Sequence, residues 1–93
     1  MVNKVVDRHI CGLDQEGSFN KYVNDLPQHR IGDRDLCPGI QREGSPDVFI
    51  NNCGAARLRD VNSVSAPEAT GSNDTLVNNR LAIRASLPVP PRC

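Results

Sequence analysis

The sequence predicts an all-β protein, and three observations support this fold class. A Gly-Ser pair recurs at Gly17, Gly44 and Gly71, at intervals of 27 residues. Asparagine and arginine follow each pair at fixed distances, in the columns Asn24, Asn51, Asn78 and Arg30, Arg57, Arg84. No window of the chain holds a sustained helical apolar period. Three units too small to bury a core alone indicate one object with approximate three-fold internal symmetry, in which each unit packs on its neighbours.

Each unit is predicted to be a β-hairpin. An apolar segment comes first, at 22–23, 48–50 and 76–77, and a second, mixed segment ends near Ile31, Leu58 or Ala85. The two segments are separated by Asn24-Asp25, Asn51-Asn52 and Asn78-Asn79. Asn and Asp tolerate the positive φ that two-residue turns of the primed type require. The Gly-Ser pair is followed two residues later by Asn or Asp, which predicts a turn before the first strand.

Composition sets the limits of the fold and excludes some partners. The 93 residues are expected to form one domain, 1–93, with a thin core, since only three residues are aromatic. The formal net charge is zero and the charges are interspersed, which argues against nucleic acid and anionic membrane as partners. We see no signal peptide or membrane-spanning run, so synthesis in the cytoplasm is expected. In a reducing compartment the four cysteines are expected to bind metal rather than to form disulfides.

The middle unit resembles the signature of the PAAR-repeat family. Residues 44–57 read Gly-Ser-Pro-Asp-Val-Phe-Ile-Asn-Asn-Cys-Gly-Ala-Ala-Arg, and the family has a similar strand that leads into Pro-Ala-Ala-Arg and then Gly-Asp. Gly54 stands in place of the family's proline, and Arg59-Asp60 in place of Gly-Asp. The first unit keeps Pro27, Arg30 and Gly32-Asp33 but neither alanine, whereas the third unit, at 81–86, lacks the aspartate. The resemblance covers about residues 17–86.

The resemblance implies a structural role and no catalysis. Family members are small, three-faced, conical or pyramidal β-structures, here built from three 27-residue hairpin repeats that start near 17, 44 and 71. They sharpen the homotrimeric β-helical spike of type VI secretion systems and contractile phage tails, help to pierce the target envelope, and hold a metal ion near the vertex. The expected state is therefore a monomer alone and one tip per spike trimer, without stable membrane association. Such a tip is carried in a virion tail or secreted, and no effector extension is expected.

The cysteines predict where the metal lies. Cys11 and Cys37 each lie four residues after the aspartate of an Asp-Arg pair, and Cys93 follows the third unit. If these segments meet at one vertex, three thiolates and one imidazole would form a closed tetrahedral zinc site. His9 is separated from Cys11 by one residue, which places both on one face of an extended segment, so His9 is the predicted fourth ligand and His29 the alternative. Cys53 is assigned to packing.

Other interpretations remain open at this point. Arg30 and Arg57 precede Asp33 and Asp60 by three residues, which favours structural ion pairs over partner contacts. A small disulfide- or zinc-stapled binding or inhibitor protein is the alternative function. A zinc module for nucleic acid is disfavoured by the zero net charge and by the absence of a Cys-x-x-Cys pair. We find no arrangement of nucleophile, base and orienting group typical of an enzyme.

Overall fold

The computed structural model describes residues 6–37 and 39–90, and this part of the chain is all-β without a helix. Its ten short strands are β1 (Glu16–Ser18), β2 (Tyr22–Val23), β3 (Leu26–Pro27), β4 (Arg34–Asp35), β5 (Gly39–Ile40), β6 (Phe49–Ile50), β7 (Cys53–Gly54), β8 (Leu76–Val77), β9 (Arg80–Leu81) and β10 (Leu87–Val89). They form five two-stranded sheets, and the principal extents of the molecule are 34 × 26 × 26 Å. Within the described ranges no helix could cross a membrane.

Three antiparallel hairpins stand at the predicted positions, namely β2–β3, β6–β7 and β8–β9. Each hairpin turn is a pair of residues with positive φ, 51–54° at the first position and 65–67° at the second. These pairs are Asn24-Asp25, Asn51-Asn52 and Asn78-Asn79, so the predicted primed turns are confirmed. Asn and Asp suit these turns because, besides Gly, they are the residues that enter this backbone region at low cost.

A Gly-Ser pair lies shortly before each hairpin. A Cβ added to Gly44 would lie 2.9 Å from the carbonyl oxygen of Gly54, so the close approach of these two backbones requires glycine. The serine hydroxyls accept from backbone N–H groups two and three residues later and donate to a turn asparagine of another hairpin. These donations are Ser18 to Asn51, Ser45 to Asn78 and Ser72 to Asn24, at 2.5–2.6 Å. The third bond returns to the first hairpin and closes the cycle.

A closed triangle of backbone hydrogen bonds lies between the hairpins. His29 N–H donates to Ile83 C=O at 2.9 Å, Ala56 N–H to His29 C=O at 3.0 Å, and Ile83 N–H to Ala56 C=O at 3.3 Å. The side-chain amide of Gln28 lies against all three carbonyl oxygens, at 3.0–3.4 Å. Gln28 is 2% exposed, so this amide satisfies polar groups that water does not reach.

The apolar core is small and belongs to the hairpins. It consists of Val23, Ala55, Val77 and Ala82, with Ile50 packed against it. Side chains alternate along a strand, so the residue that precedes each buried or partly buried one faces outward. Tyr22, Phe49 and Leu76 are these outward residues, and they are 47%, 58% and 58% exposed.

The segment ahead of each Gly-Ser pair folds back on itself, and we name these three segments the connectors: 6–16, 33–43 and 60–70. Their internal bridges are Arg8 to Leu13, Arg34 to Ile40 and Val61 to Pro67. Further bridges join each connector to the next, from His9 to Glu68, from Asp14 to Asp35 and from Gln41 to Asn62. The first two units are each followed by a connector, 33–43 and 60–70, and the N-terminal connector, 6–16, takes the equivalent place beside the third unit.

The predicted Arg–Asp ion pairs are confirmed at Arg30–Asp33, 2.8 Å, and Arg57–Asp60, 2.9 Å. The sequence offers no aspartate after Arg84, but the structure supplies one from the other end of the chain, since Arg84 Nε lies 2.9 Å from Asp7 Oδ2. The charge-assisted bonds to Asp7 hold the N-terminal connector on the third unit.

The turn conformation predicts the effect of a matched pair of substitutions at Asn79. Its side chain is exposed, and its φ is 65°. We expect Asn79→Gly to keep or raise the free energy of unfolding, and Asn79→Ala to be less stable than Asn79→Gly by about 1 kcal/mol, because a Cβ is strained at this φ. Urea unfolding of both variants checks this. Equal stabilities of the alanine and glycine variants would contradict the primed turn.

Candidate metal centre

The connectors bring four ionisable side chains together in the interior. His9 and Asp14 come from the first connector, Glu68 from the third, and His29 from the segment that follows β3. All four are at most 2% exposed. We call them the buried cluster. A group of donor atoms of His9, Asp14 and Glu68 lies within 4.8 Å of one another, which is the spacing of residues that can share a metal ion.

The Nε2 atom of His29 faces the cluster. Its Nδ1 lies 2.6 Å from the carbonyl oxygen of Glu16, and because a carbonyl only accepts, Nδ1 carries the proton. In the neutral ring Nε2 is then a lone-pair donor to a cation. This atom lies 3.4 Å from Asp14 Oδ1 and 3.9 Å from Glu68 Oε2. A lone pair that faces two carboxylates is stable only with a cation or a proton between them.

His9 connects the two carboxylates. Its Nδ1 lies 2.8 Å from Asp14 Oδ1 and its Nε2 lies 3.4 Å from Glu68 Oε2. Its ring is 6.2 Å from that of His29, centroid to centroid, at an angle of 75°. Neither ring nitrogen of His9 has a hydrogen-bond partner of acceptable geometry in the part of the chain that the structure describes.

The carboxylates carry the strongest electrostatic penalty. Among the described residues, no N–H or O–H donates with acceptable geometry to the buried carboxyl oxygens of Asp14 and Glu68, so these two carboxyls have only a proton on Glu68 to share. Burial, followed by the hydrogen bond and the charge of the neighbouring Asp14 carboxyl and by the charges of Asp7 and Asp35, raises the pKa of Glu68 to about 12. Each unsatisfied buried polar group costs about 1–3 kcal/mol. Without a metal, Glu68 is therefore held protonated at neutral pH, and a divalent cation that displaces this proton would compensate both carboxylates.

The donor set of the buried cluster suits a transition metal. Two imidazoles and two carboxylates are the ligands that zinc and other first-row divalent metals accept in proteins. Asp35 differs from the other carboxylates, because it accepts from Asn62 Nδ2 at 2.9 Å and from Cys37 N–H at 3.0 Å. We therefore assign Asp35 to supporting the cluster, where its Oδ2 lies 3.5 Å from His9 Nδ1.

The predicted cysteine ligands have another arrangement in the structure. Cys11 and Cys37 do meet, as their equivalent positions predicted, but they form a disulfide with Cα atoms 5.2 Å apart. Disulfide sulfurs are not thiolate ligands, so the predicted set of His9, Cys11, Cys37 and Cys93 does not form in this state. Cys93 lies outside the described residues. Cys53 is 1% exposed and is itself disulfide-bonded, so its assignment to packing alone is wrong.

Both predicted histidines are in the buried cluster, whereas sequence reasoning missed Asp14 and Glu68. The signal was present in the repeat. Asp14, Gln41 and Glu68 all lie three residues before a Gly-Ser pair, at 27-residue intervals. This column is polar in all three units, and each of its members is buried. A polar column at the period of a buried repeat indicates a polar interior.

The unsatisfied cluster predicts a large response to metal. We expect zinc to raise the melting temperature of chelator-treated protein by about 10 °C or more, since a ligand at about 100 times its Kd stabilises a small domain by about 2.7 kcal/mol. Asp14→Asn should remove most of this shift, and the exposed Asp47→Asn serves as the matched control. Differential scanning calorimetry measures both. A chelator-treated protein that does not respond to zinc, cobalt or manganese would contradict the assignment.

The raised pKa of Glu68 predicts how the metal-free protein responds to pH. A folded-state pKa above the unfolded value of about 4.5 gives stability that is fully present below 4.5 and is lost as the pH rises toward the folded value. In chelator, the free energy of unfolding should therefore fall between pH 5 and 9, by up to about 1.4 kcal/mol per pH unit. Urea unfolding of Glu68→Gln should show a flatter profile. An equal slope in both proteins would mean that Glu68 is ionised in the fold.

Comparison with known proteins gives no assignment. No protein-family model, no curated protein and no solved structure matches the chain. The resemblance to the PAAR-repeat family stays a prediction from the residues of 17–86.

Proposed function

We propose that this protein is the structural tip of a contractile injection machine, seated on the blunt end of a homotrimeric β-helical spike that it helps to drive through a target cell envelope. The observation that carries the proposal is the closed set of contacts that recurs every 27 residues. Serine-to-asparagine bonds, the backbone triangle and the bridges between connectors each run once around the molecule and return to their start. A single chain with such a cycle can match the three-fold end of a trimer.

The docking surface of this proposal is the outward face of the hairpins. Tyr22, Phe49 and Leu76 occupy the same position in the three units, 27 residues apart, and about half of each side chain is exposed. Exposed apolar residues that recur around an axis favour a partner with the same symmetry. The apolar character predicts that binding changes little with salt, since screening acts on charges.

A structural zinc ion belongs to the same proposal, held by His9, His29, Asp14 and Glu68 at the end formed by the connectors. In this role the ion does no chemistry. It neutralises the carboxylates and joins the first and third connectors, and it adds its binding free energy to folding, because the site does not exist in the unfolded chain. A rigid end suits a protein that is pushed through an envelope.

A small stapled binding or inhibitor protein is the second candidate, and the Cys11–Cys37 disulfide is the observation that favours it. The two candidates differ in their partner. An inhibitor has no fixed stoichiometry and can bind through any exposed surface. A spike tip must bind a trimeric partner, as one copy, through the hairpin face.

Native mass spectrometry with the cognate spike protein tests the first candidate. We expect a monomer alone and one chain per spike trimer in the complex. Phe49→Asp should weaken binding by about 30-fold, because a charge would replace a central apolar contact worth about 2 kcal/mol. Val64→Asp is the matched control, since Val64 is 56% exposed but lies in a connector. Three tips per trimer, or equal loss in the control, would overturn the proposal.

A further inference from the structure

The C-terminal strand β10 covers a groove on the first unit. It pairs in parallel with β1, with Leu87 opposite Glu16 and Val89 opposite Ser18. Leu87 N–H donates to Gln15 C=O at 2.8 Å, which anchors the start of the strand. At its other end, Arg30 Nη2 donates to Val89 C=O at 3.0 Å, and Arg30 is fully buried.

The second unit has the same groove, and no strand of the described residues covers it. The segment 43–45 lies 27 residues after β1, and Arg57 repeats the position of Arg30, with its Nη2 bonded to Gly44 C=O just as Arg30 is bonded to Gly17 C=O. Within the described residues, Gly44 N–H donates to no acceptor and no carbonyl takes the place of Val89. Arg57 is accordingly 14% exposed. A cavity of about 340 Å³ opens beside this segment.

The groove on the second unit also carries an unpaired positive charge. Arg57 and Arg80 both bond to Asp60, and Glu43 accepts from the backbone of Val61. Arg42 lines the same cavity, is exposed, and forms no ion pair with a described residue. Arg42 repeats the position of Gln15, the residue that meets the start of β10 in the covered groove. Charge complementarity therefore calls for an acidic side chain just before the added strand.

We propose that this groove, at 43–45 with Arg42 and Arg57, binds an extended segment of a partner protein by parallel β-strand addition. The chain's own tail defines the ligand class: an apolar residue, a proline and a second apolar residue, preceded here by Asp or Glu for Arg42. Proline fits the middle position because Leu87 N–H points toward β1, so by alternation the next N–H would point away and its loss costs no ladder bond. Main-chain bonds supply affinity, and the carbonyl that Arg57 receives fixes the register.

The test is NMR titration of the isotope-labelled protein with the peptide Ac-Ala-Asp-Leu-Pro-Val-Pro-NH2. We expect saturable shifts at 43–45 and at the Arg57 side chain, and none at β1. A peptide with Lys in place of Asp should bind about threefold more weakly, which is the effect of one exposed ion pair. Arg42→Glu should reverse this preference. Gln15→Glu, at the equivalent position of the covered groove, should leave it unchanged.

Three outcomes would overturn the proposal. Shifts confined to β1 would mean that the peptide only displaces the tail. No saturable shift up to about 1 mM would mean that the groove has no useful affinity for an extended strand. An unchanged order of the Asp and Lys peptides on Arg42→Glu would mean that Arg42 does not face the ligand.

Discussion

The backbone triangle of His29, Ala56 and Ile83 is the constraint on which the rest of the structure depends. Each member comes from a different unit, and its N–H donates to the carbonyl of another member, so all three units must approach within hydrogen-bond distance of one axis. The side-chain position beside the triangle is occupied differently in the three units. One unit fills it with the amide of Gln28, and the other two carry Ala55 and Ala82, both fully buried, at the equivalent position. The three units therefore carry side chains of different size at the position where they meet at the axis.

The triangle divides the molecule into two parts of opposite polarity. The hairpins bury a few valines and alanines, whereas the connectors bury imidazoles and carboxylates. Eight polar side-chain atoms lack a hydrogen bond in the described residues, and at about 1–3 kcal/mol each their cost is as large as the whole net stability of an ordinary domain of this size. The polar part is therefore compatible with a stable fold only if a cation or bound protons compensate.

Much of the fold could be predicted because it depends on local chemistry repeated three times. The turn at Asn51-Asn52 and its equivalents follow from the positive φ that Asn tolerates. The Arg30–Asp33 ion pair follows from a spacing of three residues. The candidate site was predicted in part. His9 and His29 were found, but Asp14 and Glu68 were missed, because acidic residues in a polar segment are ordinarily solvent-exposed. Their burial comes from three connectors that cover one another.

The sequence by itself determined the all-β class, the three hairpins and their turns, since a 27-residue period and a positive-φ residue are properties of the chain alone. Where the two end segments of the chain lie was decided only by the tertiary structure. It placed Asp7 on Arg84, so that the N-terminal segment serves as the connector of the third unit. It also laid β10 on the first unit, whereas no described residue covers the equivalent edge of the second unit. Each of these contacts joins residues that are distant or not equivalent in the repeat, and no local preference specifies which of three similar positions a terminus will occupy.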